Sequence, residues 1–197
     1  MVAAAALDFS PARRVSGAAP PLPPPTVVGW IEETVDVAVD SSGRVGGVVL
    51  LRGTAPAATF LGPAVSAWRF QPATEDRRAS NAHVLAVALI RPPQLLDVPA
   101  LGSAAADRAV PSDWLPYPTG TQRPRYPPLA FGDAMVLVEA LVGVDGRVQA
   151  AAVVSGAAGF NDEALATARA WTFRPARVNG EAVPAYAYLA FGFRRPV

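Results

Sequence analysis

From Glu33 to Val39, apolar Val35, Val37 and Val39 alternate with Thr34, Asp36 and the small Ala38, the period-two signature of a half-buried strand. Asp40-Ser41-Ser42-Gly43 turns the chain, and Val45 to Leu51 returns as the second arm of a hairpin whose glycine can take a positive φ. Thr59 to Ala67 is predicted to be helical, but Gly62 and Pro63 in its middle make it short or broken. Phe70 to Ala73 and His83 to Ile90 complete this first set of strands.

A second set follows with stronger signals. Met135 to Val144 is a nearly continuous apolar strand, Asp145-Gly146 is a strong hairpin turn, and Val148 to Val154 returns. Asn161 is placed to cap a helix over Asp162 to Trp171, whose first turn holds Asp162 and Glu163 where the helix dipole favours negative charge. Arg174 to Val178 is then extended, Asn179-Gly180 makes another hairpin turn, and Ala182 to Phe193 is a long final strand.

The two sets correspond. Ala67-Trp68-Arg69-Phe70-Gln71-Pro72-Ala73 superposes on Ala170-Trp171-Thr172-Phe173-Arg174-Pro175-Ala176 at an offset of 103 residues. The same offset brings Gly146-Arg147-Val148 onto Gly43-Arg44-Val45, Gly156 onto Gly53, Pro127-Pro128 onto Pro24-Pro25, and Arg194 onto Arg91, so the pattern reads as an internal duplication. Trp68 with Phe70, and Trp171 with Phe173, stand two residues apart on extended backbone and read as structural core.

Outside the two sets the chain is rich in proline. Residues 1–25 end in Pro20-Pro21-Leu22-Pro23-Pro24-Pro25 and read as a stiff tether; a PxxP-type ligand is the sharper and less common alternative. Pro92 to Arg125 has no sustained apolar period and reads as a linker with one helical turn near Ala104 to Arg108; Trp114 and Tyr117 within it need cover. The division expected is therefore 1–25 tether, 26–93 first domain, 94–121 linker and 122–197 second domain.

Composition removes several classes of function. The chain has 197 residues, a net charge of +1 and no cysteine, so there is no disulfide, thiolate metal site or cysteine nucleophile. Its basic residues are all arginine and form no stripe interleaved with aromatics, which argues against nucleic acid. His83 is the single histidine and has no partner for a metal site. Gly-x-Ser-x-Gly and a phosphate-cradling glycine loop with lysine are both lacking, so no enzyme, cofactor or small-molecule substrate is expected. Asp40 and Asp145 could act as acid and base only if the two hairpin turns met face to face. Met1 to Leu7 is far shorter than the roughly 20 residues that span a bilayer, so no anchor or export signal is expected in the chain as read.

One set of motifs is distinctive in combination: Tyr126-Pro127-Pro128-Leu129-Ala130, Asp145-Gly146-Arg147-Val148, Ser155-Gly156, Trp171-Thr172-Phe173-Arg174-Pro175-Ala176, Asn179-Gly180 and Val183-Pro184. Pro124 to Phe193 thus resembles the C-terminal domain of TonB, and the first set resembles a degenerate second copy. The first set lacks the tyrosine lead-in, the acidic helix start and the Asn-Gly turn. The resemblance implies an α+β fold of two tandem domains, each a small antiparallel three-stranded sheet on a helix in ββαβ order.

It also implies a periplasmic module that captures an extended peptide, the TonB box of an outer-membrane receptor, by adding it to the open edge of the final strand. Carried over residue by residue, the peptide contacts would be Gln122, Tyr126, Tyr186, Tyr188, Leu189 and Phe191; Gln122 is followed by an extra residue before the proline. Coupling to an ExbB-ExbD motor would require a transmembrane anchor ahead of this chain. The alternative is an envelope scaffold or interaction protein in which the two domains pair edge to edge, transduce no energy and leave no receptor site.

Overall fold

The structure, a computed structural model, describes residues 8–24, 29–53, 60–93 and 105–196. Eight main elements follow in order: β1 (Ile31–Val39), β2 (Val45–Gly53), α1 (Leu61–Ser66), β3 (Ala82–Ile90), β4 (Ala134–Val142), β5 (Val148–Ser155), α2 (Asn161–Ala170) and β6 (Ala185–Phe193). The fold is α+β and mostly strand. The expected pair of small sheets does not stand apart: one mixed sheet runs β5-β4-β6-β3-β1-β2, with the two-residue strand Ala106–Asp107 along β2 making a seventh. All neighbours are antiparallel except β6 and β3, which pair in parallel from Ala187 opposite Leu85 to Gly192 opposite Ile90.

That parallel pair determines where the helices lie. Side chains opposite one another across a ladder share a face. Ala187, Leu189 and Phe191 therefore join Leu85, Val87 and Leu89 in one buried cluster with Ala164 and Ala168 of α2. Tyr188 and Ala190 join Val84, Ala86 and Ala88 in the other, with Leu61 and Val65 of α1. The helices thus pack on opposite faces of the sheet. Trp68 is fully buried on the α1 side and Trp171 is 2% exposed on the α2 side, with Phe70 and Phe173 each 4% exposed beside them.

Both hairpins close as their glycines allow. Gly43 and Gly146 have φ of +79° and +76°, and a Cβ on either would collide with the carbonyl of Phe70 or Phe173. The close approach carries hydrogen bonds from Phe70 N–H to Gly43 O (2.9 Å) and from Phe173 N–H to Gly146 O (2.8 Å). Asp40 Oδ1 accepts the N–H groups of Ser42 and Arg44, at 2.8 and 3.0 Å, and Asp145 Oδ1 that of Arg147 at 3.0 Å. These aspartates stabilise turns. They sit three strand spacings apart along one end of the sheet, roughly 14 Å, too far to act as an acid–base pair.

The proline-rich segments differ from expectation. Residues 8–24 lie on the α1 face: Arg13–Ser16 pairs with Arg69–Gln71, and the Trp68 indole donates to Ala18 O at 2.8 Å. Residues 105–121 lie on the α2 face: Tyr117–Gly120 pairs with Thr172–Arg174, and the Trp171 indole donates to Gln122 O at 2.9 Å. Each segment is a strap that covers strands of the other half. The reason is burial: each helix covers only its own half of a face, and the remainder is apolar or carries polar groups that need partners. The helical turn expected near Ala104 to Arg108 is, over its described residues, the strand Ala106–Asp107 on Arg52 and Gly53.

Both helices differ at their starts. α1 is only six residues long. Having no acidic first turn, it is capped from outside by the buried Glu33 carboxylate, which accepts the N–H groups of Phe60 and Leu61 at 3.1 and 3.2 Å. In α2, Asn161 is already the first helical residue, and its side chain turns back to accept the Ala157 N–H at 3.0 Å in place of capping the helix.

Because each indole joins a helix end, a strap and the sheet, Trp68→Ala and Trp171→Ala should each lower stability by about 3–5 kcal/mol. Urea denaturation of the full chain measures this, and a loss under about 1 kcal/mol at either site would remove that indole from the core.

Candidate functional site

The final strand β6 is the candidate binding strand, and both of its edges are occupied. Along one side Ala134 to Val142 pairs with Phe193 to Ala185, and along the other Leu85 to Ile90 pairs with Ala187 to Gly192. Arg91 N–H extends the second ladder, donating to Gly192 O at 2.8 Å. The strand has no open main-chain edge along that run, and the receptor edge expected there is filled by β3.

A polar cluster sits against this seam on the α1 face. Glu139 of β4 is 5% exposed, and its carboxylate is held by Arg13 of the strap (Nε to Oε1, 3.0 Å) and by the Tyr188 hydroxyl (to Oε2, 3.0 Å). The Tyr188 oxygen in turn accepts the Arg14 N–H at 2.6 Å. Burial pushes the Tyr188 phenol far above its ordinary value, so it stays a neutral donor to Glu139. Arg13 also lies over the Tyr186 ring at 5.5 Å, and Arg14 over Trp68 at 5.1 Å. These contacts lock a strap from the first part of the chain onto strands of the last part.

The other face has a counterpart. Asp36 of β1, 103 positions before Glu139, is also buried, and its carboxylate oxygens lie 2.8 and 2.9 Å from His83 Nδ1. Trp114 of the second strap meets the imidazole edge to face at 5.8 Å. The Asp36 hydrogen bond raises the His83 pKa against the opposing effect of burial. His83 is a strap-facing ion-pair partner, and among the described residues no group of histidine, cysteine, aspartate and glutamate could hold a metal.

Residues 122–194 match the family model described as Gram-negative bacterial TonB protein C-terminal. This part of the chain is similar to TonB C-terminal domains. Comparison with curated proteins and with solved structures returned no match. The matched family is a non-enzymatic, protein-interaction family.

Within this TonB-like segment, the six residues of the expected peptide contact do not converge. Gln122 is exposed, and its carbonyl accepts the Trp171 indole. Tyr126 packs edge to face on Phe160 and donates to Gly132 O at 2.9 Å. Tyr186 is half-buried beneath Arg13, and Tyr188 is fully buried against Trp68 and Phe70. Leu189 and Phe191 are buried on the opposite face, Phe191 edge to face with Trp171 at 5.9 Å. Alternation along β6 accounts for the scatter, since even and odd positions enter different cores.

Two features escaped the sequence: the straps and the buried acids that face them, Asp36 and Glu139. The available signals were Ser16-Gly17 and Thr119-Gly120, which stand 103 apart, and the acids Asp36 and Glu139, which match at the same offset.

Arg13→Met should destabilise the protein strongly in the native background and weakly beside Glu139→Gln, giving a coupling of about 1–2 kcal/mol in a double-mutant cycle. Equal losses in both backgrounds would mean the ion pair contributes nothing.

Because the His83 pKa is raised in the folded state, its pair with Asp36 contributes fully below the unfolded value of about 6.5 and is lost as pH rises through the folded value. Urea midpoints should therefore fall across that window in the native protein. With Asp36→Asn the fall should be smaller, and an unchanged slope would remove Asp36 as its cause.

Proposed function

We propose that this chain is an envelope protein-interaction module made of two TonB-like units, one within residues 26–93 and one within 122–197, joined through their final strands, with residues 8–24 and 105–121 as straps. The observation that carries this reading is the parallel pairing of Ala187–Gly192 with Leu85–Ile90. A TonB-box peptide adding to β6 would need the main-chain groups that β3 already uses. Displacing β3 would also separate Tyr188 from Trp68 and Leu189 from Val87, opening both cores together. In this reading the first unit supplies permanently the strand that a receptor would supply transiently, and the module acts as a scaffold or interaction protein that transduces no energy.

The family match favours a second reading, capture of the TonB box of an outer-membrane receptor in the periplasm. It requires β3 to leave the seam. No helix among the described residues is long and apolar enough to cross a membrane, so engagement of ExbB-ExbD belongs only to an arrangement in which an anchor precedes this chain.

An NMR titration of the full chain with an extended TonB-box peptide separates the two. The first reading expects amides from Tyr186 to Phe191 to exchange as slowly as the deepest core and to show no shifts with peptide. Saturable shifts confined to Tyr186 to Phe191 and Leu85 to Ile90, with faster exchange on β3, would overturn it in favour of receptor capture.

A further inference from the structure

The two ends of the sheet are finished differently. At one end Ala106–Asp107 lies along β2, and Arg52 reaches Asp107 at 3.8 Å. At the other end no strand among the described residues pairs with the outer side of β5. β5 reads Val-Gln-Ala-Ala-Ala-Val-Val-Ser, without the charges or proline that commonly blunt an edge. Its protection is limited to two bulges. Gln149 and Val154 are extra relative to β4, leaving Ala150 to Val153 as a regular free edge.

Exposed apolar side chains gather at both ends of this strand. Val144 before it is 52% exposed; beyond its far end lie Leu129 at 89% and Phe131 at 86%. That loop is beside the end of β5, because Leu137 faces Ser155 across the ladder and Ala130 lies against Gly159. It is held in shape by the Tyr126 hydroxyl on Gly132 O and by Asp133, which accepts from Arg194 Nη1 at 2.6 Å and Arg195 N–H at 2.8 Å. Above the edge, α2 packs on β5 and β4. Its Glu163 flank accepts the Arg125 N–H of the segment that follows the strap, which leaves Leu165 and Arg169 on the opposite flank.

We propose that β5 is the seam of a homodimer, in which a second copy of this chain adds antiparallel about a twofold axis normal to the sheet near Ala151 and Ala152. An antiparallel twofold places the start of one β5 beside the end of the other, so Val144 of each copy meets the Leu129 and Phe131 loop of its mate. Arg147 then falls near Ser155, and no like charges oppose. The two α2 helices come antiparallel at about 10 Å, two strand spacings and an ordinary helix-packing distance. The exposed Asp162 near the start of one helix then faces the end carrying the exposed Arg169 of the other. The twofold uses the β5 edge of both copies, so this pairing closes at two copies.

Sedimentation equilibrium of the full chain over a dilution series, with amide exchange at high and low concentration, tests this. The expected result is a reversible species of twice the monomer mass, with Ala150 to Val153 amides slowing as concentration rises. Ala152→Lys should shift the species to monomer, and Ala150→Lys should do the same if the first variant fails to keep slow exchange at Tyr186 to Phe191. A monomer at every concentration would overturn the proposal. So would a dimer unaffected by either lysine, or a mass that keeps growing with concentration.

Discussion

The structure depends on one constraint: β6 and β3 run parallel while belonging to halves of the chain whose helices lie on opposite faces. Residues that correspond at 103 positions must then point to opposite faces, whereas residues paired across a ladder must point to the same one. The two conditions are compatible only if the pairing is out of step with the 103-position offset by an odd number. Ala187 pairs with Leu85, 102 positions away, which meets that condition by the smallest possible step. Both strands are consequently covered on both sides, as parallel strands generally are, and neither retains an edge for another chain along the pairing.

A sheet assembled this way leaves half of each face without a helix. The straps cover those halves reciprocally, with residues 8–24 over the strands of the last part of the chain and 105–121 over those of the first. Their registers differ by one residue: Arg14 lies opposite Phe70, and Pro118, 104 positions later, lies opposite Phe173. Each strap is pinned by an indole donating to a backbone carbonyl, and each face it covers contains a buried acid, Glu139 or Asp36, at corresponding positions. A buried carboxylate is costly unless partnered. The partners differ, arginine with tyrosine in one case and histidine in the other, so only the second pairing depends on pH near neutrality.

The first half of the chain carries weaker local signals and compensates through tertiary contacts. α1 contains Gly62 and Pro63 and has no acid in its first turn, while α2 has Asp162 and Glu163 there. Glu33 supplies the missing negative end from a neighbouring strand, and its burial raises its pKa despite two backbone donors. The carboxylate that terminates this helix is held at a cost that increases as pH rises, because the folded state favours its protonated form.

Much was legible in the chain itself. Alternation in β1, the Asp-x-x-Gly and Asp-Gly turns, the acidic start of α2 and the matched Trp-x-Phe pairs are local features, and local sterics and periodicity are sufficient to place them. Motif spacing likewise pointed to the TonB-like character of residues 122–194. Ala-His-Val-Leu-Ala-Val-Ala-Leu-Ile and Ala-Tyr-Ala-Tyr-Leu-Ala-Phe-Gly-Phe even carry, in their near-continuous apolar character, the mark of strands buried on both faces. What covers those faces was decided only by tertiary structure. Proline-rich segments have no apolar period, so their role as straps depends on distant partners such as Trp68, Glu139 and His83. Whether the last strand offers its edge to a receptor or gives it to β3 is likewise a matter of which two edges meet, and main-chain hydrogen bonds, being the same for every residue, leave no trace of that choice in the sequence.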